Sequence, residues 1–467
     1  MGQGQQAAHS GWLARIVAAV RQTGGHYREL NQVPAARRLL VAATGSYVGD
    51  GFNTVALIAL SYKLGDGALG VGFMLAISLL PRALFQGLAG GLVDRRPGPA
   101  LLIASHLALG GLVCAYAALA VVPSLWLLYG LALAAGIVRT VAMPAFEVEL
   151  MAVTPPAHYG TANGLHALAR TAGDLVGPLL GGLLLALVGP VPLFLLNGTS
   201  YLGVALAVAT NGGRRNAPAP ADAAPATALG YRALLARADV RFYAALTVAE
   251  YALYMGAIAV FVVQSRAFGL GDGGVGLFYT ALGVGSLVGG IAGGSGDYRG
   301  RWVFAVTAAA TAVFALGMAG FAVAGGLALA ALALALAGGL GDLSEISALT
   351  GFQHRLPAAV YGRFFSLFLM ATGVGAVLGA ILGPLLTGAF GVGPALGLLA
   401  LPVVAVALPF ALREGLADRA FAIPALAPDP EPEVVGYGMF VPPPDPAPAP
   451  GPAATGPSLT PRLSRLR

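Results

Sequence analysis

Twelve long apolar segments are the feature that most constrains how this chain of 467 residues can fold. Each is near the ~20 residues that an α-helix needs to cross the hydrocarbon core of a bilayer. Soluble domains carry ~25% charged residues, whereas this chain carries 10%. The segments are 39–62, 69–91, 99–121, 124–147, 163–188, 192–210, 241–265, 274–294, 302–324, 326–349, 364–389 and 392–412. The sequence therefore predicts an all-α membrane protein with twelve transmembrane helices.

The segments form two sets of six that repeat each other. A polar, Ala/Pro-rich linker at 211–240 separates the sets. "GGLVDRRPG" (90–98) and "GGSGDYRGR" (293–301) both place an Asp four residues after a Gly, at an offset of 203. Parallel repeats of this kind are a transporter architecture. We therefore predict two pseudo-symmetric six-helix halves, 39–210 and 241–412.

The two ends of the chain have a different composition from the helical halves. Residues 1–38 include "GWLARIVAAV", whose apolar pattern is broken by Arg15, and we interpret this arm as an interfacial amphipathic helix rather than a signal peptide. Residues 413–467 contain 13 prolines. That tail cannot bury enough apolar surface to fold and is predicted to be disordered.

The cations predict the orientation in the membrane. Only Lys63 and Arg266 fall on one side of the predicted topology. The other side carries the arginines of the arm, the linker and the even-numbered loops: Arg15, Arg21, Arg28, Arg37, Arg38, Arg95, Arg96, Arg214, Arg215, Arg232, Arg237, Arg299, Arg301, Arg355 and Arg363. Because cytoplasmic loops are enriched in Lys and Arg, both termini are expected to be cytoplasmic, in a multi-pass protein of the cytoplasmic membrane.

Several functional classes are disfavoured by missing motifs. Cys114 is the single cysteine, so neither an intrachain disulfide nor a cysteine metal cluster is expected. There is no HExxH, CxxC or P-loop, and no soluble domain that would carry a nucleic-acid-binding face. We expect no enzymatic activity, metal or cofactor. The expected partners of a monomer are a small-molecule substrate, protons and membrane lipid.

Three motifs carry a resemblance to the major facilitator superfamily over residues 33–412. "GGLVDRRPG" resembles the family's loop 2–3 motif at Asp94 and Arg95, and "FQHRLPAAVYGRFFSL" (352–367) resembles the helix 10–11 connection of a subgroup. The second copy of the loop motif matches at Gly293, Asp297, Gly300 and Arg301. "GDLVGPLLGG" matches the helix-5 exporter motif at Gly173, Gly177, Pro178, Gly181 and Gly182. The chain resembles the proton-coupled drug exporters, in the subgroup that includes siderophore and macrolide exporters.

This resemblance implies a fold and a set of roles. The family consists of two-domain alternating-access carriers whose cavity is lined by helices 1, 4, 7 and 10. The loop charges Asp94, Arg95, Asp297, Arg299 and Arg301 would hold the cytoplasmic side closed, and the alternative is that the cations simply retain these loops in the cytoplasm. The glycines of "GDLVGPLLGG" recur every four residues on one helix face, which allows close helix approach. We predict that the stretch 169–182 is a hinge and seal at the interface between the two halves and not a substrate site.

Ionisable residues at membrane depth are functional candidates because they are costly there. Among the ionisable residues in the cavity helices, we select five as candidate proton or substrate sites: Asp50, Arg139, Glu250, Asp342 and Glu345. Asp342 and Glu345 are three residues apart on one helix face and are candidates to share a proton. The alternative role of Asp50 is an internal ion pair with Arg82 or Arg139. His106 and His166 are interpreted as packing or hydrogen-bonding residues.

These observations favour proton-coupled efflux (antiport) of a small amphipathic molecule, such as a drug, a siderophore or a secondary metabolite. Two alternatives remain open from the sequence. The first is a lysolipid carrier or an importer on the same fold. The second is a transport-inactive membrane scaffold or sensor that recruits partners through its Pro-rich tail, since such a tail can adopt the polyproline II conformation.

Overall fold

A computed structural model describes residues 30–65, 67–95, 99–155, 158–211, 231–294, 303–356 and 358–414. Within these ranges the chain forms α-helices and short 3-10 turns, without a strand. The long helices are α1 (Pro34–Leu64), α2 (Ala68–Arg95), α3 (Pro99–Ala115), α4 (Leu125–Val153), α5 (Tyr159–Val188), α6 (Pro190–Ala209), α7 (Ala238–Ala267), α8 (Val275–Gly294), α9 (Val303–Val323), α10 (Leu327–Arg355), α11 (Ala358–Phe390) and α12 (Val392–Glu414). Each predicted segment overlaps one of these helices, which confirms the fold class.

Most of the helices are long and apolar enough to cross a membrane. Ten helices in the described part of the chain meet that condition, and α12 contributes a shorter apolar stretch, Val392–Ala407. The exception is α1, which is 31 residues long but carries the polar run "GSYVGDGFNT" at its centre. The protein is therefore a multi-pass membrane protein in which α1 is the most polar long helix by sequence.

The helix contacts repeat between the two halves. In the first half α1 packs against α5 and α6, α3 against α4 and α6, and α2 against α4. In the second half α7 packs against α11 and α12, α9 against α10 and α12, and α8 against α10. The halves contact each other through α2 with α11 and through α5 with α8. Each of these contacts has a counterpart six helices later, as the sequence repeats predict.

Glycines with left-handed backbone conformations make the sharp connections. Gly189 has φ 75° between α5 and α6, and Gly391 has φ 84° between α11 and α12. This conformation favours glycine because it has no Cβ. The two positions are 202 residues apart, so the same turn is used at the same place in each half.

Some predictions concern residues that the structure describes partly or not at all. The gate candidates Asp297, Arg299 and Arg301 lie outside the described residues, as do 1–29 of the arm and 415–467 of the tail. Asp94 and Arg95 end α2. The predicted linker ends earlier than expected, because a short helix, Tyr231–Ala236, precedes α7 at Ala238.

The glycine row of α5 faces α1 and not the other half. A Cβ on Gly177 would lie 2.7 Å from the carbonyl oxygen of Val48, and one on Gly181 would lie 2.9 Å from the Cα of Phe52. Gly173 faces Tyr47 in the same way. Within the stretch predicted to seal the two halves, the glycine row therefore joins two helices of one half instead.

The second half contains an equivalent row on α11, formed by Gly375, Gly379 and Gly383. A Cβ on Gly383 would lie 2.6 Å from the Cα of Gly256 on α7. The spacing between the rows is 202 residues, from Gly173 to Gly375. Because glycine has no side chain, it lets helix backbones approach closely at such positions. Both halves thus use the same device to join their first and fifth helices.

Candidate functional site

The space between the two halves holds most of the candidate residues. We call the side of the helix bundle at which α1 begins and α12 ends the terminal face, and the other side the opposite face. The halves contact each other from the middle of the bundle to the opposite face. A Cβ on Gly273 would lie 2.6 Å from the carbonyl oxygen of Gly182, and Gly276 lies against the carbonyl of Pro178. This edge of the helix-5 motif, Pro178 and Gly182, does meet the other half.

The contact between α2 and α11 likewise extends from the middle of the bundle to the opposite face. A Cβ on Gly72 would lie 2.8 Å from Pro384, and one on Gly373 would lie 2.8 Å from the Cβ of Ala83. The contacts of α2 with α11 and of α5 with α8 thus close the space between the halves toward the opposite face.

An ion pair joins α1 to α4 in the first half. The guanidinium of Arg139 donates to Asp50 Oδ1 at 2.5 Å. Tyr201 donates to the same oxygen at 2.5 Å, and Asn197 donates to it at 3.3 Å. Arg139 also donates to the Tyr201 hydroxyl at 2.7 Å. Of the two ion pairs that the sequence left open, the structure forms the one with Arg139, and Arg82 lies elsewhere.

Sequence reasoning missed the two α6 residues in this cluster. Asn197 and Tyr201 are four residues apart, so they lie on one face of α6. They are buried, with exposed fractions of 0% and 3%. Polar side chains one turn apart in an otherwise apolar segment were the available signal. The Asp50 carboxylate is therefore held by three side chains from two other helices, α4 and α6, and not by one partner.

A second group of linked polar side chains in the first half contains His166, which was predicted to be a packing or hydrogen-bonding residue. The Tyr47 hydroxyl oxygen and His166 Nε2 are 2.6 Å apart. His166 Nδ1 lies 3.3 Å from a Glu147 carboxylate oxygen, and Phe146 packs against its ring at 4.8 Å between centroids. His166 is thus a buried hydrogen-bonding residue that connects α1, α4 and α5.

The second half presents three acids to the same space. Tyr251 donates to Glu345 Oε2 at 2.9 Å, and Ser286 hydrogen-bonds to Asp342. Glu250 forms no hydrogen bond or ion pair with the described residues, and it interacts electrostatically with both of the other acids. Asp342 and Glu345 share a face as predicted, but each has its own hydroxyl partner.

Two arginines and one acid of the first half face these acids. Arg82 of α2 and Arg170 of α5 are exposed, and both attract Glu345 across the space between the halves. Asp174 of α5 is also exposed and lies in the field of Arg170. The site therefore combines acids from both halves with guanidinium groups from the first half, so the second-half acids face cations across the space between the halves.

The opposite face is held by a second group of charges. Lys63, at the end of α1, lies 3.4 Å from Asp272. Arg266 donates to Asp272 at 2.8 Å, and its guanidinium stands 4.2 Å from the centre of the Tyr62 ring. Lys63 and Tyr62 belong to the first half, whereas Arg266 and Asp272 belong to the second. This group therefore bridges the two halves where they are in contact.

Replacing Asp272 by Asn should loosen the opposite face. Exposed ion pairs contribute ~0.5–1 kcal/mol, which is about a two- to fivefold change in an equilibrium. With Cys114 replaced by Ser and a cysteine placed at Tyr254, an impermeant maleimide added from the opposite face should label this variant about two to five times faster than its parent. Ser124→Ala removes an opposite-face contact within one half and should leave labelling unchanged. Equal rates for Asp272→Asn and its parent would show that the charges do not hold this face.

Comparisons with known proteins agree with this architecture. The family model described as Major Facilitator Superfamily matches residues 39–368. The MFS-type transporter y4rN of Sinorhizobium fredii, whose function is uncharacterized, is 26% identical over 379 residues, which cover 76% of this chain and 89% of that protein. YfiS of Bacillus subtilis, an uncharacterized MFS-type transporter, is 26% identical over 166 residues, covering 35% of this chain and 39% of its own length.

Solved structures share the fold at low sequence identity. A bacterial homolog of the human lysosomal transporter Spinster, in an inward-facing and unoccupied conformation, has a TM-score of 0.61 at 15% identity, covering 84% of this chain and 99% of its own. The nucleoside transporter NupG has a TM-score of 0.62 at 14% identity, covering 82% and 99%. Together with the family match over most of the helical region, the repeated six-helix halves show that this chain belongs to the Major Facilitator Superfamily.

Proposed function

We propose that this protein is a proton-coupled exporter that exchanges protons for a small amphipathic molecule, such as a drug, a siderophore or a secondary metabolite. The observation that carries this proposal is the difference between the two halves of the site. In the first half the Asp50 carboxylate is neutralised by Arg139 at 2.5 Å. In the second half three acids lie together, and Glu250 has no cationic partner among the described residues. Both groups line one space that alternating access would expose to each side in turn.

In this proposal Asp50 and the second-half acids both exchange protons, and the second-half acids also meet the substrate. Glu250, Asp342 and Glu345 interact electrostatically with one another, and neighbouring carboxylates resist joint ionisation. A proton or a cationic group of the substrate relieves that repulsion. Competition between the two for one acid is the simplest coupling of proton entry to substrate release, because the acid cannot hold both.

The orientation supports export. The terminal face carries most of the arginines, so we place it in the cytoplasm, with both termini there and the protein in the cytoplasmic membrane. In this proposal the site opens toward that face to load a molecule for export. In the other state Asp94, Arg95, Asp297, Arg299 and Arg301 are proposed to hold the cytoplasmic side closed.

The lining of the site fits an amphipathic substrate. Tyr251 and Tyr254 stand 6.1 Å apart in an edge-to-face arrangement beside the acids. Aromatic faces bind apolar rings and attract cations. Arg82 and Arg170, which are exposed on the other wall, provide donors for an acidic or carbonyl group. A molecule with an apolar body and a polar or charged end matches both walls, and one monomer contains the complete site.

Import is an alternative function on the same fold. The structures that share this fold include a nucleoside transporter and a fucose:proton symporter from E. coli, the latter with a TM-score of 0.54. The direction of a proton gradient distinguishes the two functions. In proteoliposomes an exporter moves substrate against the direction of proton flow, whereas a symporter accumulates it in the same direction. A scaffold moves none of a broad panel of amphipathic compounds under either gradient.

Glu250→Gln should uncouple transport from protons. The glutamine keeps the size of the side chain and removes its charge, so gradient-driven transport of fluorescent amphipathic cations in proteoliposomes should fall by about tenfold or more. Downhill exchange of the same compounds without a gradient should persist. Asp239→Asn on the same helix is the control, since Asp239 pairs with Arg237 at 2.7 Å near the terminal face. Unchanged gradient-driven transport in Glu250→Gln would remove this residue from the proton step.

A further inference from the structure

A groove on the outside of the first half is separate from the central site. It lies between the terminal-face ends of α1 and α6 and has a volume of ≈ 410 Å³. The groove is lined by Arg37, Arg38, Val41, Ala42, Gly203, Leu206, Ala207 and Thr210. Val41 precedes Asp50 by nine residues, which is half a turn out of phase at ~100° per residue. The groove therefore lies on the face of α1 directed away from the Asp50 cluster.

The lower part of the groove is apolar and open. Its floor is made of the small residues Ala42, Gly203 and Ala207. A Cβ on Gly203 would meet no atom within 4 Å, so the glycine leaves space that no neighbouring helix fills. Val41 and Leu206 form the walls and are 68% and 64% exposed. An open apolar groove of this volume on a transmembrane surface can accommodate an acyl chain.

The rim of the groove carries two cations. Arg37 and Arg38 are exposed, and among the described residues their guanidinium groups have no acidic or carbonyl partner. Arg241 stands 203 residues after Arg38, at the start of the equivalent helix of the second half. It donates to the carbonyls of Leu235 at 2.8 Å and Ala236 at 2.6 Å. The second half thus uses this arginine internally, whereas the first half leaves its pair facing the membrane surface.

We propose that this groove binds one anionic phospholipid from the leaflet at the terminal face. The lipid phosphate pairs with Arg37 and Arg38, and one acyl chain fills the channel above Gly203. Arginine matches phosphate geometry through paired hydrogen bonds, and basic pockets between transmembrane helices recognise anionic headgroups. The binding energy comes from both parts, because each buried CH₂ of the chain adds to the charge attraction.

The position of the groove links lipid binding to the pairing of α1 with α6. The groove is formed by α1 and α6, which also hold the Asp50 cluster through Asn197 and Tyr201. A lipid that contacts both helices stabilises their pairing. The proposal does not depend on the transported substrate or on its direction, so it stands or fails separately from the exporter proposal.

The test is retention of phosphatidylglycerol by the purified full chain in phosphatidylcholine nanodiscs, measured by native mass spectrometry and by the thermal unfolding midpoint. The Arg37→Gln/Arg38→Gln double variant should bind phosphatidylglycerol about thirtyfold more weakly than the wild type. Gly203→Leu should lose the lipid by filling the channel while both arginines remain. Arg241→Gln is the matched control and should retain it. In phosphatidylcholine alone, unfolding midpoints equal to that of the wild type show that the variants fold.

Each other outcome overturns the proposal in a defined way. Equal phosphatidylglycerol retention by the wild type and the double variant places any bound lipid elsewhere. Equal losses in Arg241→Gln and the double variant indicate diffuse attraction to the whole basic face. Retention in Gly203→Leu shows that no chain enters the groove. Displacement by inorganic phosphate identifies the occupant as a free anion and not a lipid.

Discussion

Replacing Gly177 by valine is expected to abolish transport and to destabilise the first half. The new Cβ would lie 2.7 Å from the carbonyl oxygen of Val48 and 2.9 Å from the Cα of Gly51. Both are backbone atoms, so relief requires α1 and α5 to move apart rather than a side chain to rotate. Overpacking of this kind costs up to about 3 kcal/mol. The displacement also separates Tyr47 from His166, which are 2.6 Å apart.

The measurement is the unfolding midpoint in detergent together with transport in proteoliposomes. Gly111→Val is the matched control, because a Cβ at this glycine of α3 would meet nothing within 4 Å. Valine should be tolerated there, with stability and transport near those of the wild type. Gly379→Val tests the repeat, since that glycine faces α7 as Gly177 faces α1, and it should behave like Gly177→Val. A Gly177→Val protein as stable and active as the Gly111→Val protein would refute the role of the row.

Replacing Asp50 by Asn is expected to abolish proton-driven transport at a modest cost in stability. Asparagine keeps an oxygen for Tyr201 and Arg139 but removes the charge that Arg139 requires. The side chains of Asp50 and Arg139 are 26% and 40% exposed, so water screens the unpaired guanidinium. The loss is therefore nearer the ~1 kcal/mol of a partly exposed pair than the ~3–5 kcal/mol of a buried one. Gradient-driven transport should fall by about tenfold or more, because the variant lacks one of the proposed proton-exchanging acids.

The double variant Asp50→Asn/Arg139→Gln separates a transport role from a structural one. Neutralising both partners removes the unpaired charge, so the unfolding midpoint should recover most of what either single variant loses. Transport should stay low in the double variant, because the titratable group is still missing. Recovery of transport together with stability would assign the pair to structure alone. Wild-type transport in Asp50→Asn would exclude Asp50 from the proton step directly.

The helices of this protein could be predicted because each one depends on the sequence of its own segment. A transmembrane helix satisfies its backbone hydrogen bonds within itself, so length and hydropathy are enough to place it. The largest differences from prediction occur at helix ends. For example, α10 continues through Arg355 and α7 begins at Ala238, since charged residues beyond the apolar stretch extend helices outside the membrane core. The repeat offset of 202–203 residues also survives in the structure, from the glycine rows to the turns at Gly189 and Gly391.

The candidate site was predictable as a set of residues but not as an arrangement. Depth in an apolar helix identified Asp50 and Arg139 as costly charges, yet left Arg82 as an equal partner for Asp50. Which charges meet depends on the rotation and crossing of helices far apart in sequence. Tyr201 is 151 residues from Asp50, and no local pattern encodes that contact.

The sequence by itself determined the class of protein, the number of spanning helices, their repeat and the side on which cations collect. Each follows from hydropathy, chain length and charge counted along the chain. Tertiary structure alone decided that Asp272 bridges the two halves at the opposite face, that the glycine row of α5 serves α1, and that Arg37 and Arg38 face outward. These are properties of helix packing, in which a rotation of half a turn exchanges a cavity-facing side chain for a lipid-facing one. Composition does not encode that rotation, because close backbone contacts and long-range polar pairs select it.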